Sequence, residues 1–162
     1  MIFLTAYGRE VGWIGATATL ILFGKSDGRK AAVLLIITFL ILIPLGTIVK
    51  TEMDRSRPTP IPSSNLLTQP NSEPSFPSGH ATIVSAGALI LLLKFNRGKQ
   101  IIFSIIMAIE ASLVSYSRIY VGDHYPLDVV GGILLGTGIA CAVMASVRYM
   151  GPIFSRVDSM KL

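Results

Sequence analysis

The densest group of reactive side chains in this sequence lies at residues 117–128, SRIYVGDHYPLD. Pro126 suits the first turn of a helix, where its missing N–H costs nothing, so we expect a helix to begin there. Asp128 would then lie in the first turn, where its carboxylate accepts a hydrogen bond from the His124 imidazole and fixes its tautomer. Arg118 offers a planar guanidinium for a phosphate or carboxylate. A histidine, an orienting carboxylate and an anion clamp together indicate covalent phosphoryl chemistry.

Two further polar clusters border other apolar runs. Lys50 and Arg57 lie near the end of one run, and the sequence PSGH at 77–80 opens another. Ser78 is a natural N-cap residue, and a helix that begins after it presents backbone N–H groups that bind phosphate. The cations would neutralise charge on the phosphoryl oxygens in the transition state. One histidine would attack, and a second would protonate the leaving oxygen.

The composition predicts an integral membrane protein. Hydrophobic residues make up 51 % of the chain and charged residues only 14 %, whereas soluble domains carry about 25 % charged residues. The net charge of +5 would suggest nucleic-acid binding in a soluble protein. Here the basic residues lie mostly in short connections between apolar runs, which is a topology signal, so no nucleic-acid partner is expected. The single cysteine, Cys141, lies in an apolar run and excludes a disulfide framework or a cysteine metal site.

Five apolar runs approach the length of about 20 residues that a membrane-spanning helix needs. The predicted fold is therefore an all-α integral membrane bundle of about five transmembrane helices with one long outer loop, and residues 1–162 form a single domain. The last run is rich in glycine, which permits close helix packing. Its glycines are Gly131, Gly132, Gly136 and Gly138. The five runs cover approximately 8–23, 31–49, 81–93, 101–116 and 127–147.

The connections predict which side of the membrane each cluster occupies. Basic residues are concentrated in the turns at 24–30 and 94–99 and in the tail, and the positive-inside tendency makes that side cytoplasmic. The long loop at 50–79 and the stretch at 117–128 then share the outer side. All three polar clusters are therefore expected on one face of the membrane.

The first apolar run contains charges whose role is ambiguous. Arg9 and Glu10 are most simply interfacial charges near the start of the helix, and the alternative is a role facing the substrate. Tyr7 and Trp13 fit an interfacial aromatic belt. Residues 1–8 are accordingly expected near the membrane interface.

The three clusters resemble the signature of the type 2 phosphatidic acid phosphatase family of membrane lipid phosphatases. Lys50, Arg57 and Pro58 fit its KxxxxxxRP element, and residues 77–80 fit its PSGH element. Residues 117–128 fit its SRxxxxxHxxxD element at every signature position. Three motifs in this order and spacing are highly specific. Many members have six spanning helices, whereas five are predicted here.

The resemblance implies a role for each signature residue. His124 is the expected nucleophile that forms a phosphohistidine, Asp128 orients it, and His80 is the general acid for the leaving group. Such enzymes work without a metal, and no other cofactor is implied. The residues expected to bind the phosphate are Lys50, Arg57, Ser78, Gly79 and Arg118.

The expected activity is hydrolysis of a lipid phosphate or diphosphate at the outer membrane face, with the lipid tail in the bilayer. Candidate substrates are a polyprenyl diphosphate, a phosphatidylglycerol phosphate and phosphatidate. The long loop is expected to select among them through Arg55 and three apolar residues. These are Ile61, Leu66 and Leu67.

Other functions are compatible with the same residues. A phosphotransferase would pass the phosphoryl group to an alcohol instead of water. The vanadate-dependent haloperoxidases share the signature, but they are soluble, which the five apolar runs argue against. A non-catalytic lipid-binding or transport protein would use an ionisable residue within a span, and Glu110 is the candidate. An interhelical hydrogen bond explains Glu110 more simply.

Each cluster also has a simpler interpretation when taken alone. Lys50 and Arg57 could contact lipid headgroups, and Ser78 with Gly79 could only cap a helix. The two histidines with Asp128 could bind a metal, but no HExxH-type spacing supports this. The three clusters together favour the phosphatase.

Overall fold

The computed structural model describes residues 7–58 and 73–159, and these ranges contain helices and no strand. A π-helical turn, Gly8–Gly12, leads into α1, and a short 3₁₀ turn, Val147–Tyr149, precedes the last helix. Because residues 1–6 lie outside the described part, the expected interfacial position of residues 1–8 is not tested there. The helices are α1 Trp13–Phe23, α2 Lys25–Met53, α3 Gly79–Lys94, α4 Gln100–Tyr120, α5 Pro126–Ser146 and α6 Gly151–Ser159.

The helices confirm the predicted all-α membrane bundle. Among the described residues, α2, α4 and the segment Pro126–Tyr149 that contains α5 are long and apolar enough to cross a membrane. The apolar helix α3 is shorter, and α1 with its preceding turn is also short. The polar motifs lie at the ends of these elements, so the bundle presents them at its surface.

The predicted polar turn at 24–30 is wrong, because α2 begins at Lys25 and only Gly24 separates it from α1. A Cβ built on Gly24 would lie 2.4 Å from the Leu20 carbonyl oxygen and 2.6 Å from the Gly28 Cα. A glycine is therefore needed where the two helices cross. The prediction took the end of the apolar run as the end of the helix. A helix can, however, include polar residues with high helix propensity, such as Arg29.

Trp13 does not belong to an interfacial belt, because it is only 1 % exposed. Its ring lies against Gly87, where a built Cβ would approach the Trp13 ring atom Cζ3 to 2.1 Å. Its indole Nε1 donates a hydrogen bond of 2.9 Å to Glu110 Oε2. This contact confirms the interhelical hydrogen bond expected for Glu110 and fixes α1 against α3 and α4. Tyr7, by contrast, is exposed.

Glycines bring α5 unusually close to α3, as their presence in the sequence predicts. A Cβ built on Gly136 would lie 2.2 Å from the Thr82 carbonyl oxygen, and one on Gly132 would lie 2.7 Å from the Ser78 carbonyl oxygen. Close approach lets the Ser78 N–H donate to the Asp128 carbonyl oxygen at 2.9 Å. The beginnings of α3 and α5, which carry two of the motifs, are thereby held together.

The basic connections lie at the other end of the bundle. Phe95, in the turn after α3, lines the same cavity as Phe23 and Gly24 in the turn between α1 and α2. Helix α6, which the sequence analysis did not predict, also lies at this end, since Lys30 pairs with Asp158 at 2.8 Å. The motif residues and the basic turns therefore occupy opposite ends of the molecule.

Candidate active site

The three motif clusters meet around one cavity of about 340 Å³. It lies at the end of the bundle where α2 ends and α3 begins. Two of the predicted residues, Ser78 and Asp128, are fully buried behind its wall. The predicted site residues that line it are Lys50, Arg57, Gly79, His80, Arg118 and His124.

Asp123 joins the two arginines of the cavity. Its Oδ1 accepts a hydrogen bond of 2.5 Å from Arg57 Nη1, and its Oδ2 accepts one from Arg118 Nη2. The Asp123 side chain is buried, so the two pairs are shielded from solvent and hold both guanidinium groups in place. Asp123 is not among the predicted site residues, although a carboxylate directly before His124 in a charge-poor chain was an available signal.

Residues 73 and 74, at the C-terminal end of the long loop, hold Lys50 and make a further contact with Arg57. Lys50 Nζ donates to Glu73 Oε2 at 3.2 Å and to the Pro74 carbonyl oxygen at 3.1 Å. Arg57 Nε donates to the Glu73 carbonyl oxygen at 2.8 Å. Residues 73–74 thus draw the KxxxxxxRP element toward the start of α3.

The expected hydrogen bond between His124 and Asp128 is not formed. His124 Nδ1 lies 3.7 Å from Asp128 Oδ2, beyond hydrogen-bonding distance. Asp128 Oδ1 instead accepts from Arg55 Nη1 at 2.7 Å, and its Oδ2 accepts from the Tyr125 backbone N–H at 2.9 Å. The carboxylate lies in the first turn of α5, as predicted, but there it caps the helix. It remains close to the imidazole, as does Asp123, whose Oδ2 lies 3.8 Å from His124 Nε2.

Of the four residues expected to select the lipid, Arg55 is the one that lies in the described part of the chain. Besides its pair with Asp128, its guanidinium stacks on the Tyr125 ring at 4.5 Å from the centroid. These contacts place it behind the motif residues and not in the cavity wall. The other residues of that group, Ile61, Leu66 and Leu67, lie outside the described residues.

Ser78 occupies the N-cap position of α3, but its hydroxyl makes no capping hydrogen bond. Its backbone N–H is bonded to Asp128, while its Oγ is buried with no hydrogen-bond partner in the described part of the chain. Gly79 follows it and lines the cavity. The simpler interpretation of Ser78, that its side chain only caps a helix, therefore does not describe what the hydroxyl does.

Arg9 adds a cation to the cavity that the predicted set does not contain. It lies in the turn before α1 and lines the cavity with the motif residues. Its Nη1 would lie 3.8 Å from a Cβ built on Gly79. Of the two interpretations of Arg9, the structure supports the one that faces the cavity.

The surroundings of His124 favour the neutral form of its imidazole. Burial, followed by the positive charges of Arg57 and Arg118, lowers the pKa of His124 to about 4, although a backbone hydrogen bond with Ser75 and the charge of Asp128 oppose the shift. The side chain is only 2 % exposed. A neutral imidazole at physiological pH keeps a lone pair for nucleophilic attack.

This electrostatic environment predicts the titration of His124. Since the chain has two histidines, His124 is the only one in a His80→Gln variant. We expect its ¹⁵N NMR titration in detergent micelles to have a midpoint near 4, the lowered pKa, and not near the exposed value of about 6.5. Adding Arg57→Gln removes one neighbouring cation and should raise the midpoint. A midpoint near 6.5 in the parent variant would contradict this description of the site.

The described residues contain no group of three or more His, Cys, Asp or Glu side chains that could hold a metal ion. The chemistry that the cavity offers is that of two histidines among cations. Such a set can bind a phosphoryl group, attack it and stabilise its charge.

Comparison with known proteins places the chain in a family. Residues 29–152 match the model of the PAP2 superfamily. The chain belongs to the PAP2 superfamily. It is 44 % identical over 161 residues to an undecaprenyl-diphosphatase of Sulfolobus acidocaldarius, an alignment that covers 99 % of this chain and 74 % of the relative.

Two solved structures have a similar fold. A transmembrane PAP2-type phosphatidylglycerolphosphate phosphatase from Bacillus subtilis aligns with a TM-score of 0.66 and 25 % identity over 91 % of this chain and 74 % of that one. Aquifex aeolicus LpxE aligns with a TM-score of 0.64 and 26 % identity over 88 % of this chain and 81 % of that one. The PAP2 family prediction is confirmed, and the protein is a multi-pass membrane lipid phosphatase.

Proposed function

We propose that this PAP2 phosphatase removes the terminal phosphate of a polyprenyl diphosphate through a phosphohistidine on His124. The observation that carries the proposal is the cavity in which Lys50, Arg57 and Arg118 surround His80 and His124. The similarity to an undecaprenyl-diphosphatase supports the substrate. The other candidates, phosphatidylglycerol phosphate and phosphatidate, would use the same residues.

The proposed reaction has two steps at phosphorus. His124 attacks the terminal phosphorus, and the bond from that phosphorus to the bridging oxygen breaks as the N–P bond forms. Burial and the charges of Arg118 and Arg9 lower the pKa of His80, so the negative charge of the bound diphosphate must favour its protonated form; that imidazolium then gives its proton to the departing oxygen of the lipid monophosphate. Water then attacks the phosphohistidine and gives a proton to His80, the N–P bond breaks, and inorganic phosphate is released with both histidines restored. Asp128, next to His124, stabilises the imidazole as it becomes positively charged.

The cations of the cavity are proposed to stabilise the transition state. Arg57 and Arg118 are held by Asp123, so their donors are fixed before the substrate arrives. Preorganised donors stabilise charge on the transferring phosphoryl oxygens without reorganising during the reaction. Lys50, the Gly79 backbone at the start of α3 and the buried Ser78 hydroxyl are the further proposed phosphate ligands.

The active site is proposed to face the extracytoplasmic side. The cavity lies at the end of α2 that carries Lys50, whereas the opposite end of the bundle is rich in cations. The positive-inside tendency places that basic end in the cytoplasm. Its basic residues are Lys25, Arg29, Lys30, Lys94, Arg97, Lys99, Arg148 and Arg156.

Phosphate release from a lipid panel tests the proposed function. The purified protein, in excess chelator, should release inorganic phosphate from a polyprenyl diphosphate faster than from phosphatidylglycerol phosphate or phosphatidate. Chelator should leave the rate unchanged, because the proposed reaction uses side chains alone. Loss of activity in chelator would indicate a metal, and a product carrying phosphate on an added alcohol would indicate phosphotransfer. A faster rate on phosphatidate would contradict the proposed substrate.

A further inference from the structure

We propose that Arg9 binds the phosphate that stays on the lipid when a diphosphate is cleaved, and that it thereby makes the enzyme prefer diphosphates to monophosphates. This inference rests on the proposed phosphohistidine mechanism. It concerns a residue that lies outside all three motifs and before the first residue of the family match, residue 29.

The position of Arg9 makes it available to a ligand in the cavity. Its Nη2 pairs with Glu10 Oε1, while its Nη1 is directed toward the start of α3 at Gly79. A guanidinium has five N–H donors, so the pair with Glu10 leaves donors for an anion. The Arg9 side chain is 32 % exposed, which allows it to bind without first leaving a buried site.

The proposed roles of the two histidines place Arg9 on the leaving-group side. His124 and the arginines tied to Asp123 surround the phosphorus that is attacked. His80 follows Gly79 directly and protonates the departing oxygen in the proposed reaction. Arg9 lies beside Gly79 and also lines an apolar cavity on the membrane side, so we place the departing group, which carries the lipid chain, next to its guanidinium.

An apolar cavity borders the same position on the membrane side. This second cavity, of about 570 Å³, lies between α1, α2 and α3 and is lined by side chains such as Ile14, Ile36 and Phe39. It shares Arg9, Ile43 and Ile83 with the phosphate cavity, so the two cavities adjoin at these side chains. We assign the isoprenoid chain of the substrate to it, because the chain is attached to the departing group and must pass Arg9.

The charge of the departing group explains the expected selectivity. A lipid diphosphate leaves behind a lipid monophosphate, which carries about −1.5 to −2 charges near neutral pH. A lipid monophosphate leaves behind a neutral alcohol, which gives a guanidinium little to bind. Arg9 should therefore contribute to the cleavage of diphosphates and contribute little to that of monophosphates.

Steady-state kinetics on two matched lipids test this inference. For Arg9→Gln, we expect kcat/KM to fall about 30-fold on a polyprenyl diphosphate and less than about 3-fold on the monophosphate of the same chain length, as for loss of one charge-assisted contact. Arg9→Lys should recover part of the diphosphate activity, because it retains the charge. The matched control is Arg97→Gln, which removes an exposed arginine at the opposite end of the bundle and should change neither value.

The outcomes separate this inference from the proposed function. Equal losses on both lipids, or no loss on either, would overturn the role of Arg9 and leave the phosphatase proposal in place. A wild-type enzyme that cleaves only the monophosphate would overturn this inference together with the proposed diphosphate substrate, but not the phosphatase activity. Failure of the wild type on both lipids would overturn the proposed function together with the inference.

Discussion

Replacing His124 with alanine should lower phosphate release from a lipid diphosphate by at least about 1000-fold, as expected when a covalent nucleophile is removed. His124 lies in the same cavity wall as Arg57 and Arg118, the cations proposed to hold the attacked phosphoryl group. His80 is the only other histidine in the chain, and its proposed position is on the opposite side of the phosphorus. No other imidazole can therefore replace the nucleophile.

His80→Ala is the matched control for this variant. It also removes an imidazole from the cavity wall, but in the proposed reaction it removes only the proton donor. Its loss should be smaller, in the range of about 100-fold that general acid catalysis contributes. Both variants should elute and melt like the wild type. Activity of His124→Ala above a few percent of the wild-type rate would contradict its assignment as the nucleophile.

Gly136→Ala should cause a large loss of stability for so small a substitution. The added Cβ would lie 2.2 Å from the Thr82 carbonyl oxygen, so α5 must move away from α3. Overpacking of this kind costs about 3 kcal/mol, which corresponds to a fall in Tm of about 10 °C for a chain of this size. Because α3 and α5 carry two motifs, kcat/KM should fall as well.

Gly138→Ala provides the comparison on the same helix. A Cβ at Gly138 meets no atom within 4 Å among the described residues, so the substitution should be neutral or slightly stabilising through helix propensity. Thermal unfolding of both variants in the same detergent measures the difference. Equal Tm values for the two variants would contradict the close contact between α3 and α5.

The grouping of the proposed site residues around one cavity could be predicted because charge is scarce in this chain. In a sequence with 14 % charged residues, Lys50, Arg57 and Arg118 stand out beside the two histidines, and the alternating direction of helices brings them to one end. The small residues of α5 likewise predicted its close packing. These conclusions depend on residue type and spacing, which the sequence contains.

The partners of individual side chains could not be predicted in the same way. Asp123 and Asp128 both lie near His124, but only the folded chain directs Asp123 to the two arginines and Asp128 to Arg55. Trp13 could equally have been an interfacial residue, and its burial depends on Glu110, which is 97 positions away. Such pairings are set by helix packing and have no local signal.

The role proposed for Arg9 could not be predicted from the sequence either. Its sequence context, a charge near the start of an apolar run, is typical of an interfacial residue. The turn before α1 nevertheless places it in the cavity, because Trp13 packs on Gly87 and holds α1 against α3, which leaves Arg9 beside Gly79. A substrate contact of this kind becomes visible only when the helices are assembled.

Trapping the covalent intermediate tests the central claim most directly. The wild type and His124→Ala would be mixed in chelator with a polyprenyl diphosphate labelled at its terminal phosphate and quenched in alkaline detergent, in which phosphohistidine survives. We predict label on the wild-type protein at residue 124 and none on His124→Ala. A wild type that releases labelled phosphate without ever carrying label, or label retained by His124→Ala, would contradict the phosphohistidine mechanism.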